Sequence, residues 1–169
     1  MFYSKLDKCD TANGDGVRAS LFVSGCSINC PGCFNKPAQN FKFGQEFTPD
    51  VLNCILKACD NPYISGLSVL GGEPFHIRNV TTVADLIMAF RQKFGNTKTI
   101  WCWTGYTLEQ LQERKDAATF YVLANIDVLV DGPFVESLKD PSISWRGSSN
   151  QRILLKPSTQ TSGHHTNFH

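Results

Sequence analysis

Four short apolar, β-branched stretches recur along the chain at residues 17–23, 67–70, 99–103 and 126–130, and segments of helical periodicity lie between them. Behind the first, Thr48-Pro49 supplies an N-cap and a first-turn proline for a helix carrying Val51, Leu52, Ile55, Leu56 and Cys59 at helical spacing. Val83, Leu86, Ile87, Phe90 and Phe94 mark the next helix, with Gly95 as its stop. Thr107 and Gln110 form a capping box for a helix at 108–113, and a further helical piece lies at 117–123. Strands that alternate with helices imply βα units, a parallel sheet and right-handed crossovers. At 169 residues the chain is too short for an eight-unit barrel of about 250 residues. The expected fold class is therefore α/β, an incomplete (βα) barrel or open, curved parallel sheet. Ile153-Leu154-Leu155 adds a last strand. Residues 1–157 are expected to form a single domain, followed by a polar, mobile Ser/Thr/His-rich tail at 158–169.

Composition narrows the function classes. The apolar share is 41%, the charged share 18% and the net charge +1, values of an ordinary globule with no basic excess for nucleic acid or anionic lipid. No apolar run reaches the length of a membrane span, and Met1-Phe2-Tyr3-Ser4-Lys5 lacks the architecture of a signal peptide. A cytoplasmic location is the expectation. The seven cysteines are an odd number without a secretory signal, so metal ligation is favoured over a disulfide framework.

Each strand leads at its C-terminal end into unusual residues: a cysteine loop, Gly71-Gly72-Glu73-Pro74, Thr104-Gly105-Tyr106 and Asp131-Gly132-Pro133. Ligands bind at that edge in parallel α/β folds. Four such segments on one rim point to one shared site.

The first of them, Ser24-Gly25-Cys26-Ser27-Ile28-Asn29-Cys30-Pro31-Gly32-Cys33-Phe34, has the spacing C-x3-C-x2-C. Three thiolates so close can wrap one small metal centre, and Gly25, Pro31 and Gly32 supply the tight backbone. Structural zinc takes four ligands, as does an ordinary cubane. No fourth follows nearby. Three readings stand: inert buried thiols, a zinc site completed by His76 or a distant cysteine, and a 4Fe–4S cluster with one open iron. The count of three favours the last.

This spacing, at the end of the first strand, resembles the defining motif of the radical S-adenosylmethionine superfamily. Gly71-Gly72-Glu73-Pro74 is similar to that superfamily's second motif, which contacts the methionine amino group. Gly16-Val17-Arg18, Thr104-Gly105-Tyr106, Val130-Asp131-Gly132 and the segment Trp145-Arg146-Gly147-Ser148-Ser149-Asn150-Gln151 match more narrowly. They resemble the family of activating proteins of anaerobic ribonucleotide reductases, from about the N-terminus to Gln151.

The resemblance implies a 4Fe–4S cluster on Cys26, Cys30 and Cys33, with S-adenosylmethionine on the open iron. Reductive cleavage would release methionine and a 5′-deoxyadenosyl radical that takes hydrogen from a glycine of the reductase. An external one-electron donor such as a flavodoxin would supply the electron. Within the superfamily, an enzyme acting on a small molecule is the alternative; outside it, a non-enzymatic zinc module.

Gly32, Phe34, Gly71, Gly72, Glu73 and Asp131 are the expected cofactor-binding positions. Glu73 is read as an acceptor for the amino group, or else as a solvated turn carboxylate. Phe34 packs on the adenine or in the core, and Asp131 binds a ribose hydroxyl or caps the next segment. Arg146 and Arg152 dock the partner, hold a carboxylate, or are ordinary surface residues. Trp101 and Trp103 read as packing; Cys9 and Cys102 stand alone, and Cys54 and Cys59 read as packing. His164, His165 and His169 in the tail read as incidental.

Overall fold

The computed structural model describes residues 1–156. The tail at 158–169 with its three histidines, and the domain boundary at 157, lie outside the described residues. Seven strands form one open sheet in the order β3-β1-β2-β4-β5-β6-β7. They are β1 (Phe2–Asp10), β2 (Arg18–Val23), β3 (Gln45–Glu46), β4 (Gly66–Gly71), β5 (Thr99–Trp103), β6 (Val128–Asp131) and β7 (Arg152–Leu155). The helices are α1 (Pro49–Cys59), α2 (Val80–Phe94), α3 (Leu108–Glu113) and α4 (Ala117–Asn125). No helix among the described residues is long and apolar enough to cross a membrane.

Strands β2, β4, β5 and β6 are parallel neighbours, as their alternation with helices requires. The expectation of a wholly parallel sheet needs correction at both edges. There, β1 runs antiparallel to β2, and β7 antiparallel to β6. The joining segments carry no crossover helix, and a chain that simply turns back pairs antiparallel. The N-terminal strands β1 and β3 escape the sequence pattern. Phe2–Asp10 is mostly polar and half-buried, and its pairing with β2 is broken by register shifts.

Alternation along the strands gives the sheet two different faces. Ala19, Leu21, Val23, Leu67, Val69, Ile100, Cys102 and Leu129 join the helices in the main core. Helix α2 contributes Val83, Leu86, Ile87 and Phe90, all fully buried, and stops at Gly95. The capping box of α3 is present in both its hydrogen bonds. Thr48 occupies the N-cap position of α1, but its side chain makes no capping bond. On the opposite face, Trp101, Val128, Val130 and Ile153 form a smaller cluster with Trp103 and Trp145 packed against it. Trp101 stacks on Trp103 at 5.7 Å and meets Trp145 edge-on at 5.0 Å.

Arg18, at the start of β2, lies beneath this second face and is 1% exposed. Its five N–H groups are all accepted by uncharged oxygens: Ser68 Oγ (2.7 Å), the Asp15 and Leu67 carbonyls (3.0 and 2.9 Å), Thr99 Oγ1 (3.0 Å) and the Thr99 carbonyl (2.9 Å). Ser68 Oγ in turn donates to the Asn13 carbonyl. One guanidinium thus ties the β1–β2 loop to the N-terminal ends of β4 and β5. Burial lowers its pKa to about 10, still well above neutrality. Arg18→Met strands these acceptors, and a loss of about 3 kcal/mol in urea unfolding is expected. Arg18→Lys, with three donors instead of a planar fork, restores only part of it. A loss within about 0.5 kcal/mol for Arg18→Met would contradict this role.

Candidate functional site

The C-terminal ends of β2, β4 and β5 open onto one cavity of about 370 Å³, whose walls include Cys26, Cys30, Cys33, Phe34, Gly71, Gly72 and Glu73. The cysteine loop is fixed to the turn after β4 by backbone bonds. Gly72 N–H donates to the Val23 carbonyl (2.7 Å), Glu73 N–H to the Gly25 carbonyl (2.9 Å), and Gly25 N–H to the Ala38 carbonyl (2.7 Å). This close approach explains the paired glycines. Gly71 has φ +112°, and a Cβ there would lie 2.6 Å from the Val23 oxygen; one on Gly72 would lie 2.7 Å from the Gly25 oxygen. No side chain fits either position.

All three thiols are free and half-buried. Burial raises the pKa of Cys26, while the N–H groups of Ile28 and Asn29 pull it the other way by hydrogen bonding to the sulfur. Asn29 takes a left-handed φ of 54° in that turn. Among the described residues, no group of three His, Cys, Asp or Glu side chains is placed to hold a single metal ion. The three soft sulfur donors instead share the wall of a larger space. That donor set suits an iron–sulfur cluster, which needs thiolates and takes up hydrogen bonds at sulfur. Cys54 lies on α1. Cys59 and Cys102 are buried in the helix-side core, their thiol pKa values pushed up, that of Cys59 to about 11.

Glu73 is completely buried, which overturns the solvated-turn alternative. Its carboxylate accepts from Phe75 N–H (2.9 Å), Thr104 Oγ1 (2.7 Å) and Gly105 N–H (2.8 Å). No cation pairs with it among the described ion pairs. Burial lifts its pKa to about 7 against those three bonds. A buried carboxylate with fixed donors and no counter-ion is poised for a ligand that brings N–H groups or positive charge.

Two expected site residues stand elsewhere. Asp131 does not line the cavity. Its buried carboxylate accepts from Arg152 Nε (2.9 Å) and from Leu108 N–H (2.7 Å), at the start of α3. It therefore serves the N-terminus of α3, an earlier helix, instead of a following segment, and Arg152 spends its charge on Asp131 and Glu109. Gly32, with φ +70°, shapes the cysteine turn where the Glu136 carboxylate packs against it, and is not among the cavity residues. Phe34 is 90% exposed at the cavity wall, so core packing is excluded. Trp103 also lines the cavity, in addition to its packing role, and so do Trp145 and Arg146.

The sequence model of the family described as "4Fe-4S single cluster domain" matches residues 12–154. The anaerobic ribonucleoside-triphosphate reductase-activating protein of Escherichia coli K12 is 44% identical over 155 residues, covering 90% of this chain and 97% of the relative. The protein of that name from Vibrio cholerae is 39% identical with the same coverage. Its namesake in Enterobacteria phage T4 is 35% identical, covering 90% and 93%. This chain belongs to the anaerobic ribonucleoside-triphosphate reductase-activating protein family. As an activating protein with a single-cluster domain it carries an iron–sulfur cluster, and the zinc-module reading falls away.

A further residue belongs to the site and carries no distinct signal in the sequence. Asn79 is 1% exposed, and its Nδ2 donates to the carbonyls of Ser24 (3.0 Å), Gly25 (3.3 Å) and Glu73 (3.0 Å). It stands at the N-cap position of α2 yet makes no capping bond. An asparagine before a helix reads as a cap, and that ordinary signal hid a clamp between the cysteine loop and the Glu73 turn. Thr104 and Gly105 were legible only as a strand-end segment; their task is to hold the Glu73 carboxylate.

Proposed function

We propose that the protein is a radical S-adenosylmethionine activase that installs a glycyl radical on anaerobic ribonucleotide reductase. The observation that carries this reading is the buried Glu73 carboxylate, in no ion pair, sharing one cavity with three half-buried thiols. When bound and reduced, the cluster supplies the electron that splits the sulfonium into methionine and a 5′-deoxyadenosyl radical able to take hydrogen from a glycine. Cys26, Cys30 and Cys33 would hold the cluster, and the methionine end of the cosubstrate would bind beside it. Glu73 accepts from its amino group, and the backbone at Gly71-Gly72 lies beside it. Phe34 offers an exposed ring to the adenine. Asn79 keeps the cysteine loop and the Glu73 turn in one register, so that cluster and cosubstrate meet in a fixed geometry. The electron comes from an external donor of flavodoxin type.

A cavity of about 370 Å³ is near the lower end of small-molecule sites. Cluster and cosubstrate would leave no room in it for a second free small molecule, so the hydrogen donor reaches in from outside. That favours a protein substrate over a second small molecule.

Anaerobic reconstitution with iron and sulfide, followed by addition of reductase, S-adenosylmethionine and reductant, is expected to give a glycyl radical signal by electron paramagnetic resonance. Cleavage of S-adenosylmethionine without any radical on the reductase would reassign the substrate. Bound zinc with no iron would remove the chemistry altogether.

A further inference from the structure

Arg146 is the only positively charged side chain among the described residues that line the cavity. Its Nε is buried with no hydrogen-bond partner. Its Nη1 makes one long contact, 3.4 Å, to the Gln151 carbonyl. An empty buried donor destabilises the free protein and is retained where a ligand completes it.

The backbone around Arg146 is built to hold it there. Trp145 has φ 60°, a strained conformation for a bulky residue. It is held by Trp103 Nε1, which donates to the Trp145 carbonyl at 2.8 Å, and by the edge of Trp101. On the other side, Gln151 Oε1 accepts from Gly147 N–H (2.8 Å) and Ser148 N–H (3.2 Å). Gln151 Nε2 donates to the Gly132 carbonyl, which anchors this turn to the end of β6. Arg146 thus projects from a locked turn with part of its donor fork unused.

Trp103, Phe134, Gly132 and Gly147 line the same cavity, and the Phe134 ring packs beside Gly147. Such a lining suits a narrow, uncharged chain. The cysteine loop follows β2, whereas Gln151, whose carbonyl Arg146 touches, is anchored to the end of β6, with β4 and β5 between the two strands. At the usual strand spacing that is roughly 14 Å of sheet, so Arg146 lies at the end of the cavity away from the cysteines and from the methionine group that the proposed cluster would hold. The group that meets Arg146 belongs to the second substrate.

Resting on the activase reading above, we propose that Arg146 receives a main-chain carbonyl of the partner's glycine-bearing segment and so fixes where that glycine comes to rest. Arg146 is a positioning residue: it transfers neither proton nor electron.

The test uses the cluster-loaded full-length protein, its Arg146→Ala and Arg146→Lys variants, S-adenosylmethionine and the anaerobic reductase. Both variants are expected to bind S-adenosylmethionine and cleave it without partner at the wild-type rate. The reductase concentration for half-maximal glycyl radical rises about tenfold or more for alanine and less for lysine. The dissociation constant for the reductase, titrated without reductant, moves in parallel. Weaker S-adenosylmethionine binding with unchanged reductase affinity would assign Arg146 to the cosubstrate carboxylate and overturn the proposal, as would wild-type behaviour of both variants. Where the alanine variant fails to load its cluster, the lysine variant decides by the same criteria. A wild-type protein that forms no glycyl radical would instead overturn the activase reading, and the reductase titration would still report on Arg146.

Discussion

Alanine at Cys26, Cys30 or Cys33 is expected to abolish the iron–sulfur cluster, whereas alanine at Cys54 leaves it intact. The three cysteines share a cavity wall, and none of the other four lines it. Cys59 and Cys102 are sealed in the core on the far face of the sheet, with thiols that burial keeps protonated. On the proposed three-ligand centre none is in reserve, so each substitution is decisive. Iron and sulfide content after anaerobic reconstitution should fall at least tenfold for each of the three, on the general dependence of cluster assembly on thiolate ligands. Cluster loss in Cys54→Ala would move the centre to a different set of residues.

The second large effect belongs to Glu73 and is read through pH. Its carboxyl titrates at about 7 in the folded protein against 4.5 ordinarily. Between those values the unfolded chain has already lost a proton that the folded protein keeps. Stability of the ligand-free protein therefore falls as pH rises from 4.5 towards 7 and levels off above, by roughly 3 kcal/mol in all. A ligand that donates N–H groups to the carboxylate favours the ionised form, so its stabilising effect grows through the same window. S-adenosylmethionine should raise the melting temperature of the cluster-loaded protein more at pH 8 than at pH 6. Glu73→Gln should flatten that difference and weaken S-adenosylmethionine binding about tenfold to a hundredfold, since the amide cannot ionise and its NH2 group would face a donor. Glu109, drawn down to about 2 by its bond to Arg152, titrates below this range and does not mask it. A glutamine variant with the wild-type pH response would place the titrating group elsewhere.

The sequence carried the parallel centre of the sheet because buried strands and amphipathic helices have different periods, and β2, β4, β5 and β6 obey them without exception. It carried the cysteine loop and Glu73 because local spacing is itself the chemistry. What it hid depends on contacts between distant residues. Asp131 looked like a ligand-binding carboxylate at a strand end, yet Arg152, twenty-one residues on, claims it. A carboxylate that binds a ligand and one that caps a helix have the same sequence signature. Asn79 and Arg18 were obscured for the same reason: their partners are up to 55 and 81 residues away. Strand β1 was missed because an irregular, half-buried edge has no clean alternation to read.

The Arg18 clamp has a consequence for traffic into the site. By pinning the β1–β2 loop, whose Ala12 and Asn13 line the cavity, it braces that wall against the N-terminal ends of β4 and β5. Phe34 marks an open rim of the same cavity. Dioxygen, which would quench a carbon-centred radical, shares that rim with the proposed glycine substrate. On the proposed activase reading, a partner seated there is both the target of the radical and its stopper, so chemistry without a docked partner is leaky.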